Sequence, residues 1–430
     1  MRIRVPGDKS ISQRALIVAA LAEGRSRIAG LLHGGDTEST ARALRALGVP
    51  VPTIPGDGSE VVLEGVGLDG LRPPNGRLDL GNSGTGARLL MGAVSGIEVE
   101  ARFDGDTSLR GRPMGRVIRP LRALGARVDP VETPDRLPIV VRGRAGLSPL
   151  EWESPIASAQ VKSAILLAGL TGRTRVAVIE PWVSRDHTER MLRVVGAPVS
   201  SRKTESGWRV ELQESQGRID PLDLSVPGDF SSAAFVLALA ALGAAGGEVT
   251  VERVGLNPTR TGFLDVLRRM GADVRVDDRT LDDTSEPVGD VVVRPGVLKG
   301  TEVVAAEVPG LIDELPLVAV LGACADGEVR ISGASELRAK ESDRIATVTK
   351  GLTGLGVAVE ELEDGLVVQG VPGRTLRGFV EVHHDHRIAM AFSVLGAATG
   401  RAIRIDDRAV SDVSFPGFHE LLTRVAGDRD

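Results

Sequence analysis

Six times along the chain a small or polar start runs into an almost unbroken Ala/Leu/Val stretch, then a glycine turn, then a Val/Ile-rich run. The instances are DKSISQRALIVAALAEGRSRIAGL, GNSGTGARLLMGAVSGIEVEARF, SAQVKSAILLAGLTGRTRVAVI, GDFSSAAFVLALAALGAAGGEVTV, IDELPLVAVLGACADGEVRISG and DHRIAMAFSVLGAATGRAIRI. Apolar residues on every side of a helical stretch predict a helix buried all round, followed by a short strand. Between these lies a second recurring piece: TESTARALRALGVPV, MGRVIRPLRALGARV, HTERMLRVVGAPV, FLDVLRRMGADVRV, IATVTKGLTGLGVAVE and a truncated FHELLTRVAG. In TARALRALG the apolar residues fall on one helical face and the arginines on the other, which predicts a half-exposed helix before a Val strand. The repeat recurs at roughly 70–80 residues, far beyond a solenoid period.

Two sets of three units predict two similar domains, residues 8–225 and 226–430, joined by the N-terminal strand 1–7. VPGD is written twice, at Val5–Asp8 and Val226–Asp229, and marks the first unit of each half. A length of 430 residues suffices for two cores. The net charge of -6 removes a global basic field, and 3% aromatics with no Tyr removes base-stacking platforms, so nucleic acid is not expected as a partner. A single Cys, Cys324, rules out an intramolecular disulfide framework and a cysteine metal cluster, and it is expected as a small buried hydrophobe. The longest apolar run, AAFVLALAALGAAGG, is shorter than a membrane span, and no signal peptide is visible, so a cytoplasmic monomer with no membrane partner is expected.

Helix N-termini present unsatisfied N–H groups and the positive end of the dipole, so they attract anions. PGDKSIS, GNSGTG, SAQ and GDFSS begin such helices, although Ser, Asn and Asp there also serve as plain caps. Cations stand beside the starts: Lys9 and Arg14, Arg88, Lys162, and further along Arg110, Arg112, Arg185, Lys340, Arg344 and Arg387. A net acidic chain with cations concentrated at helix starts suits small polyanions. Asp36, Asp313, Glu341 and Asp343 lie among them as ion-pair partners or acid–base groups. In HHDHR the side chains of His383, His384, Asp385 and His386 are consecutive and do not converge on one metal ion without other ligands.

PGDKSISQRA, LGNSGTGARL, DTSLRGRPMGR, SAQVKSAILLAGL, DELPLVAV, ELRAKESDR and DHRIAM, in that order from about Val5 to Phe415, resemble the 3-phosphoshikimate 1-carboxyvinyltransferase (EPSP synthase) family. The resemblance implies an α/β fold, a two-domain inside-out α/β barrel of six βαβαββ-type units, with substrates in the cleft between the halves and no cofactor or metal. It implies transfer of the enolpyruvyl group of phosphoenolpyruvate to the 5-hydroxyl of shikimate 3-phosphate through a tetrahedral intermediate. By the same resemblance Lys9 meets both substrates. Ser10, Arg14, Ser158, Gln160, Ser184 and Lys340 meet shikimate 3-phosphate; Asn82, Gly84, Arg112, Arg344 and Arg387 hold phosphoenolpyruvate, with Gln160 near both. Asp313, also at the shikimate 3-phosphate, is the implied base and Glu341 the implied acid, with Lys9 a further candidate for the proton transfers.

The chain departs from the family pattern in places. His187 stands where many relatives have a ring-contacting Tyr, with Arg185 as the alternative contact; Val413 replaces a Lys before the last Phe-Pro; Glu336 replaces an Asn. These changes resemble the divergent bacterial branch called class II. The alternatives are the related UDP-N-acetylglucosamine enolpyruvyl transferase, which normally has a loop Cys and a Lys-Asn pair where this chain has Lys9-Ser10, and a non-catalytic anion-binding repeat protein.

Overall fold

The six Ala/Leu-rich segments form the helices Lys9–Leu21, Gly84–Ser95, Ala159–Thr171, Phe230–Ala241, Leu315–Cys324 and His386–Ala398. In Phe230–Ala241 every residue is buried, and in Lys9–Leu21 every residue from Ile11 onward. A helix enclosed on all sides has no use for a polar face, which is why Ala, Leu and Val run around the whole circumference. The second set forms Gly35–Ala46, Gly115–Ala123, His187–Val194, Gly262–Met270, Arg344–Gly354 and Phe418–Ala426, most with strongly one-sided apolar faces. The computed structural model describes residues 1–214, 217–280 and 286–427.

The third unit shows the plan. Strand Leu150–Glu153 leads into helix Ala159–Thr171, whose exit strand Val176–Glu180 pairs parallel with Leu150–Glu153. Helix His187–Val194 follows. The hairpin Val199–Thr204 and Gly207–Leu212 then extends the sheet antiparallel, Val210 facing Val178 in register. This is a βαβαββ unit, and among the described residues four of the six sheets have this four-stranded order. Two units fall short of the expected complete form. The first sheet has three strands, because prolines 50, 52 and 55 interrupt the segment that would supply the fourth and lack the N–H a ladder needs. The sixth has two, Arg377–Val380 and Ala402–Ile405.

Contacts divide the chain into two units: Gly7–Val226 with Asp282–Glu286, and Met1–Pro6 with Pro227–Leu281 and Pro287–Asp430. Each has its own apolar core. The opening strands of the first and fourth repeats are exchanged. Arg2–Ile3 pairs parallel with Val249–Gly255, while Asp223–Ser225 pairs parallel with Glu23–Ala29. The chain therefore passes between units once within each VPGD, after Pro6 and after Val226. Glycine is required at the first crossing, where a Cβ on Gly7 would stand 1.9 Å from the carbonyl oxygen of Gly30. The duplicated tetrapeptide marks both a repeat start and a crossing.

Among the described residues no helix is long and apolar enough to cross a membrane. Cys324 ends its helix half-buried rather than fully enclosed, against the apolar core.

Candidate active site

In the unit Gly7–Val226, polar side chains at the helix starts tie four helices together. Asp8 caps Lys9–Leu21, its Oδ1 accepting the Ile11 N–H at 2.8 Å. Lys9, the first helical residue, pairs with Asp36 at 3.1 Å. Ser10 follows, its carbonyl accepting from Arg14 Nη1 at 3.1 Å. Arg14 also donates from Nε to Thr188 Oγ1 at 2.8 Å and from Nη2 to Ser163 Oγ at 3.1 Å, so the starts of three helices meet on one guanidinium. Burial lowers its pKa to about 10, and Glu189 opposes the shift, so it stays cationic at neutral pH. Ser83 caps Gly84–Ser95 and donates to Gln13 Oε1 at 3.1 Å.

The Gly84–Ser95 and Ala159–Thr171 helices are joined by Arg88, which donates to Gln160 Oε1 at 2.8 Å; Gln160 Nε2 donates to Thr85 Oγ1 at 2.9 Å. Arg112 donates to Asn82 Oδ1 and Asn82 Nδ2 to Asp106 at 3.0 Å. Gly84 lies beside two of these cations: a Cβ there would come within 2.7 Å of Arg88 Nη1 and 3.2 Å of Arg112 Nη1. Asn82, Gly84, Arg112 and Gln160 are thus one connected group, whereas Arg110 forms a two-point pair with the buried Asp104 at 2.8 and 2.7 Å.

Ser158 and Ser184 are held by a carboxylate that sequence reasoning missed. Glu180, wholly buried, accepts the Ser158 N–H at 2.8 Å and the Ser184 hydroxyl on both oxygens at 2.8 Å. Lys162 lies 3.0 Å from Glu180 and 2.8 Å from Glu189, with all three side chains out of water. Burial alone would lower the Lys162 pKa, but Glu189 and Glu180 outweigh it and the net shift is upward. Burial raises that of Glu189. Arg185 follows Ser184 in the chain and is half-buried. His187 is buried, its Nδ1 2.7 Å from Glu286.

The other unit gathers the remaining candidates. Asp313 and Glu314 precede the helix Leu315–Cys324, Lys340 and Glu341 precede Arg344–Gly354, and Arg387 is the second residue of His386–Ala398. Arg344, 1% exposed, links them: Nη2 to Glu341 at 2.6 Å, Nη1 to Asp313 at 3.6 Å, Nε to Asp385 at 2.8 Å. Its three carboxylates more than offset desolvation, so its pKa lies above the ordinary value. Arg387 Nη2 is 3.5 Å from Asp313. Lys340 is half-buried on the same segment as Glu341.

Asp385, which the sequence suggested only as a weak metal ligand, caps its helix by accepting from the Arg387 and Ile388 N–H groups and also orients Arg344. Its position ahead of an apolar helix was the available signal. Among the described residues no cluster of three His, Cys, Asp or Glu side chains could hold a metal. The second VPGD copy does more than cap and pack. Asp229 accepts the Ser232 N–H at 2.9 Å, while Ser231 accepts from Arg260 Nη2 at 2.7 Å and donates to Glu314. Arg260, also missed, reaches Asp313 at 3.3 Å.

This division of cations and carboxylates between two threefold-repeated units has counterparts in known proteins. The family model described as EPSP synthase (3-phosphoshikimate 1-carboxyvinyltransferase) matches residues 1–422. The 3-phosphoshikimate 1-carboxyvinyltransferase of Alkalilimnicola ehrlichii is 49% identical over 427 residues, covering 99% of this chain and 92% of that protein. A solved structure of EPSP synthase from Acinetobacter baumannii superposes with a TM-score of 0.84 at 39% identity, covering 99% of this chain and 95% of that one. The enolpyruvyl transferase NikO from Streptomyces tendae, at 18% identity and TM-score 0.74 over 100% of this chain and 95% of its own, shares the fold. With the match running through both units and every helix start described above, the chain belongs to the EPSP synthase (3-phosphoshikimate 1-carboxyvinyltransferase) family.

Proposed function

We infer that this chain transfers the enolpyruvyl group of phosphoenolpyruvate to the 5-hydroxyl of shikimate 3-phosphate and releases phosphate, the step of the shikimate pathway for which its family is named. Each substrate carries a carboxylate and a phosphate, so four anionic groups must be held. Capped helix starts and guanidinium groups can do this with fixed donors and no reorganisation. Lys9, Ser10, Arg14, Ser158, Gln160, Ser184, Arg185 and Lys340 are read as the shikimate 3-phosphate set. Lys9, Asn82, Gly84, Arg112, Gln160, Arg344 and Arg387 are read as the phosphoenolpyruvate set.

The observation that carries the acid–base reading is the placement of two carboxylates on one cation, Asp313 and Glu341 on Arg344. Addition of the 5-hydroxyl to C2 of phosphoenolpyruvate requires removal of the hydroxyl proton and protonation of C3. Asp313 takes the first and Glu341 supplies the second. Loss of a proton from the new methyl group back to Glu341 then expels phosphate and restores the double bond. Lys9 is the other group able to move a proton. The reaction is assigned to a cytoplasmic monomer.

Inorganic phosphate release tests this. Purified protein with both substrates should release phosphate, and replacing shikimate 3-phosphate by UDP-N-acetylglucosamine should abolish it. Release with the UDP-sugar but not with shikimate 3-phosphate as acceptor would transfer the assignment to UDP-N-acetylglucosamine enolpyruvyl transferase, and release with neither acceptor would discard the transferase reading.

A further inference from the structure

Three guanidinium groups face Asp313: Arg260 at 3.3 Å and Arg387 at 3.5 Å on Oδ2, and Arg344 at 3.6 Å on Oδ1. The function proposed above assigns Arg344 and Arg387 to phosphoenolpyruvate, and a cation turned toward a substrate anion holds a neighbouring carboxylate less firmly. Arg260 is anchored differently. It is 3% exposed and lies between strand Val249–Gly255 and helix Gly262–Met270, its N–H closing a turn onto the Asn257 carbonyl at 2.8 Å. Its other terminal nitrogen donates to Ser231 Oγ at 2.7 Å, and the Ser231 hydroxyl donates a hydrogen bond to Glu314, the residue next to Asp313. One guanidinium and one hydroxyl thereby tie two consecutive carboxylates to the start of the Phe230–Ala241 helix.

We propose that Arg260 is a positioning residue for Asp313, oriented by Ser231: by holding Oδ2 it fixes the orientation of the carboxylate that takes the proton of the substrate hydroxyl. Ser231 belongs to the second VPGD copy, which has no counterpart of Lys9 or Arg14, and this gives the copy a function of its own. The proposal rests on Asp313 being the base.

The test is steady-state kinetics with both substrates on Arg260→Met, Arg260→Lys, Ser231→Ala, Asp313→Asn and the Arg260→Met/Asp313→Asn double variant, with melting curves for each. Misplacing a reacting group by about 1 Å costs on the order of 100-fold. Arg260→Met is therefore expected to lower kcat by about 10- to 100-fold, with both KM values little changed. Arg260→Lys should recover part of the loss, and Arg260→Met should add little to Asp313→Asn. If Arg260→Met does not fold, Ser231→Ala is expected to lower kcat several-fold without changing KM. Unchanged kcat in a folded Arg260→Met or in Ser231→Ala, or an undiminished Arg260→Met effect in the Asp313→Asn background, would overturn the proposal. Full activity of Asp313→Asn would instead remove the base assignment itself.

Discussion

The guanidinium of Arg344 is clasped by the carboxylate of Asp385, Nε to Oδ2 at 2.8 Å, with side chains 1% and 0% exposed. Asp385 also caps the His386–Ala398 helix, accepting the Arg387 N–H at 3.0 Å. Removing one member of a buried pair leaves the other charge uncompensated and costs about 3–5 kcal/mol, and losing a cap costs about 1. Asp385→Ala should therefore destabilise the C-terminal unit by about 4 kcal/mol in urea unfolding. Asp385→Asn, which keeps an acceptor for the cap, should lose less. Equal losses would show that the charge pairing with Arg344, rather than capping, dominates.

Glu341 touches the same guanidinium at 2.6 Å but is half-buried, where a proton donor needs access to substrate. Glu341→Gln keeps the shape and removes the titrating group. A general acid–base contribution is about 100- to 10,000-fold, so turnover should fall at least about 100-fold. Calorimetric affinity for shikimate 3-phosphate should stay near the parent value. A large loss of that affinity would make Glu341 a structural residue.

Much of this arrangement was legible in the residues. Apolar stretches such as AAFVLALAALGAA can only be enclosed helices, and amphipathic stretches such as TARALRALG only half-exposed ones, so both helix sets could be read off periodicity. The strand exchange could not: Arg2–Ile3 pairs with Val249–Gly255, and nothing local in two residues encodes a partner so far along the chain. Residues proposed above to contact substrate carry recognisable neighbours, as Lys9 does in PGDKS. Residues that hold those residues do not. Arg260, Glu180 and Asp385 look like ordinary loop, strand-end and cap residues until burial removes water and leaves Asp313, Ser184 and Arg344 as their partners.

Cys324 provides a reporter on the helix that starts beside Asp313. It is the single cysteine, it ends the Leu315–Cys324 helix, and burial pushes its thiol from 9.0 up to about 11. Only the thiolate is nucleophilic. The logarithm of the iodoacetamide alkylation rate should therefore climb with unit slope from pH 7.5 to 9.5 without levelling. A plateau near pH 8.5 would mean that the helix end is open to solvent.

Lys162 sits between Glu180 and Glu189 with no access to water, and Glu180 in turn holds Ser158 and Ser184. Lys162→Met fills the space but strands two buried carboxylates, a loss of about 3–5 kcal/mol at neutral pH. Glu189 should then take up a proton more readily. Burial already raises Glu189 even with the lysine present, and without it the largest opposing influence is gone. A group whose folded pKa lies above its unfolded value contributes stability below the unfolded value and loses it as pH rises through the folded one. The deficit of Lys162→Met relative to the parent should accordingly be largest near pH 8 and shrink as pH falls toward 5. Adding Glu180→Gln should restore part of the stability at pH 8, because the amide carries no charge to strand. A deficit that is independent of pH would show that packing around the lysine stem, and not neutralisation of Glu180 and Glu189, is what Lys162 contributes.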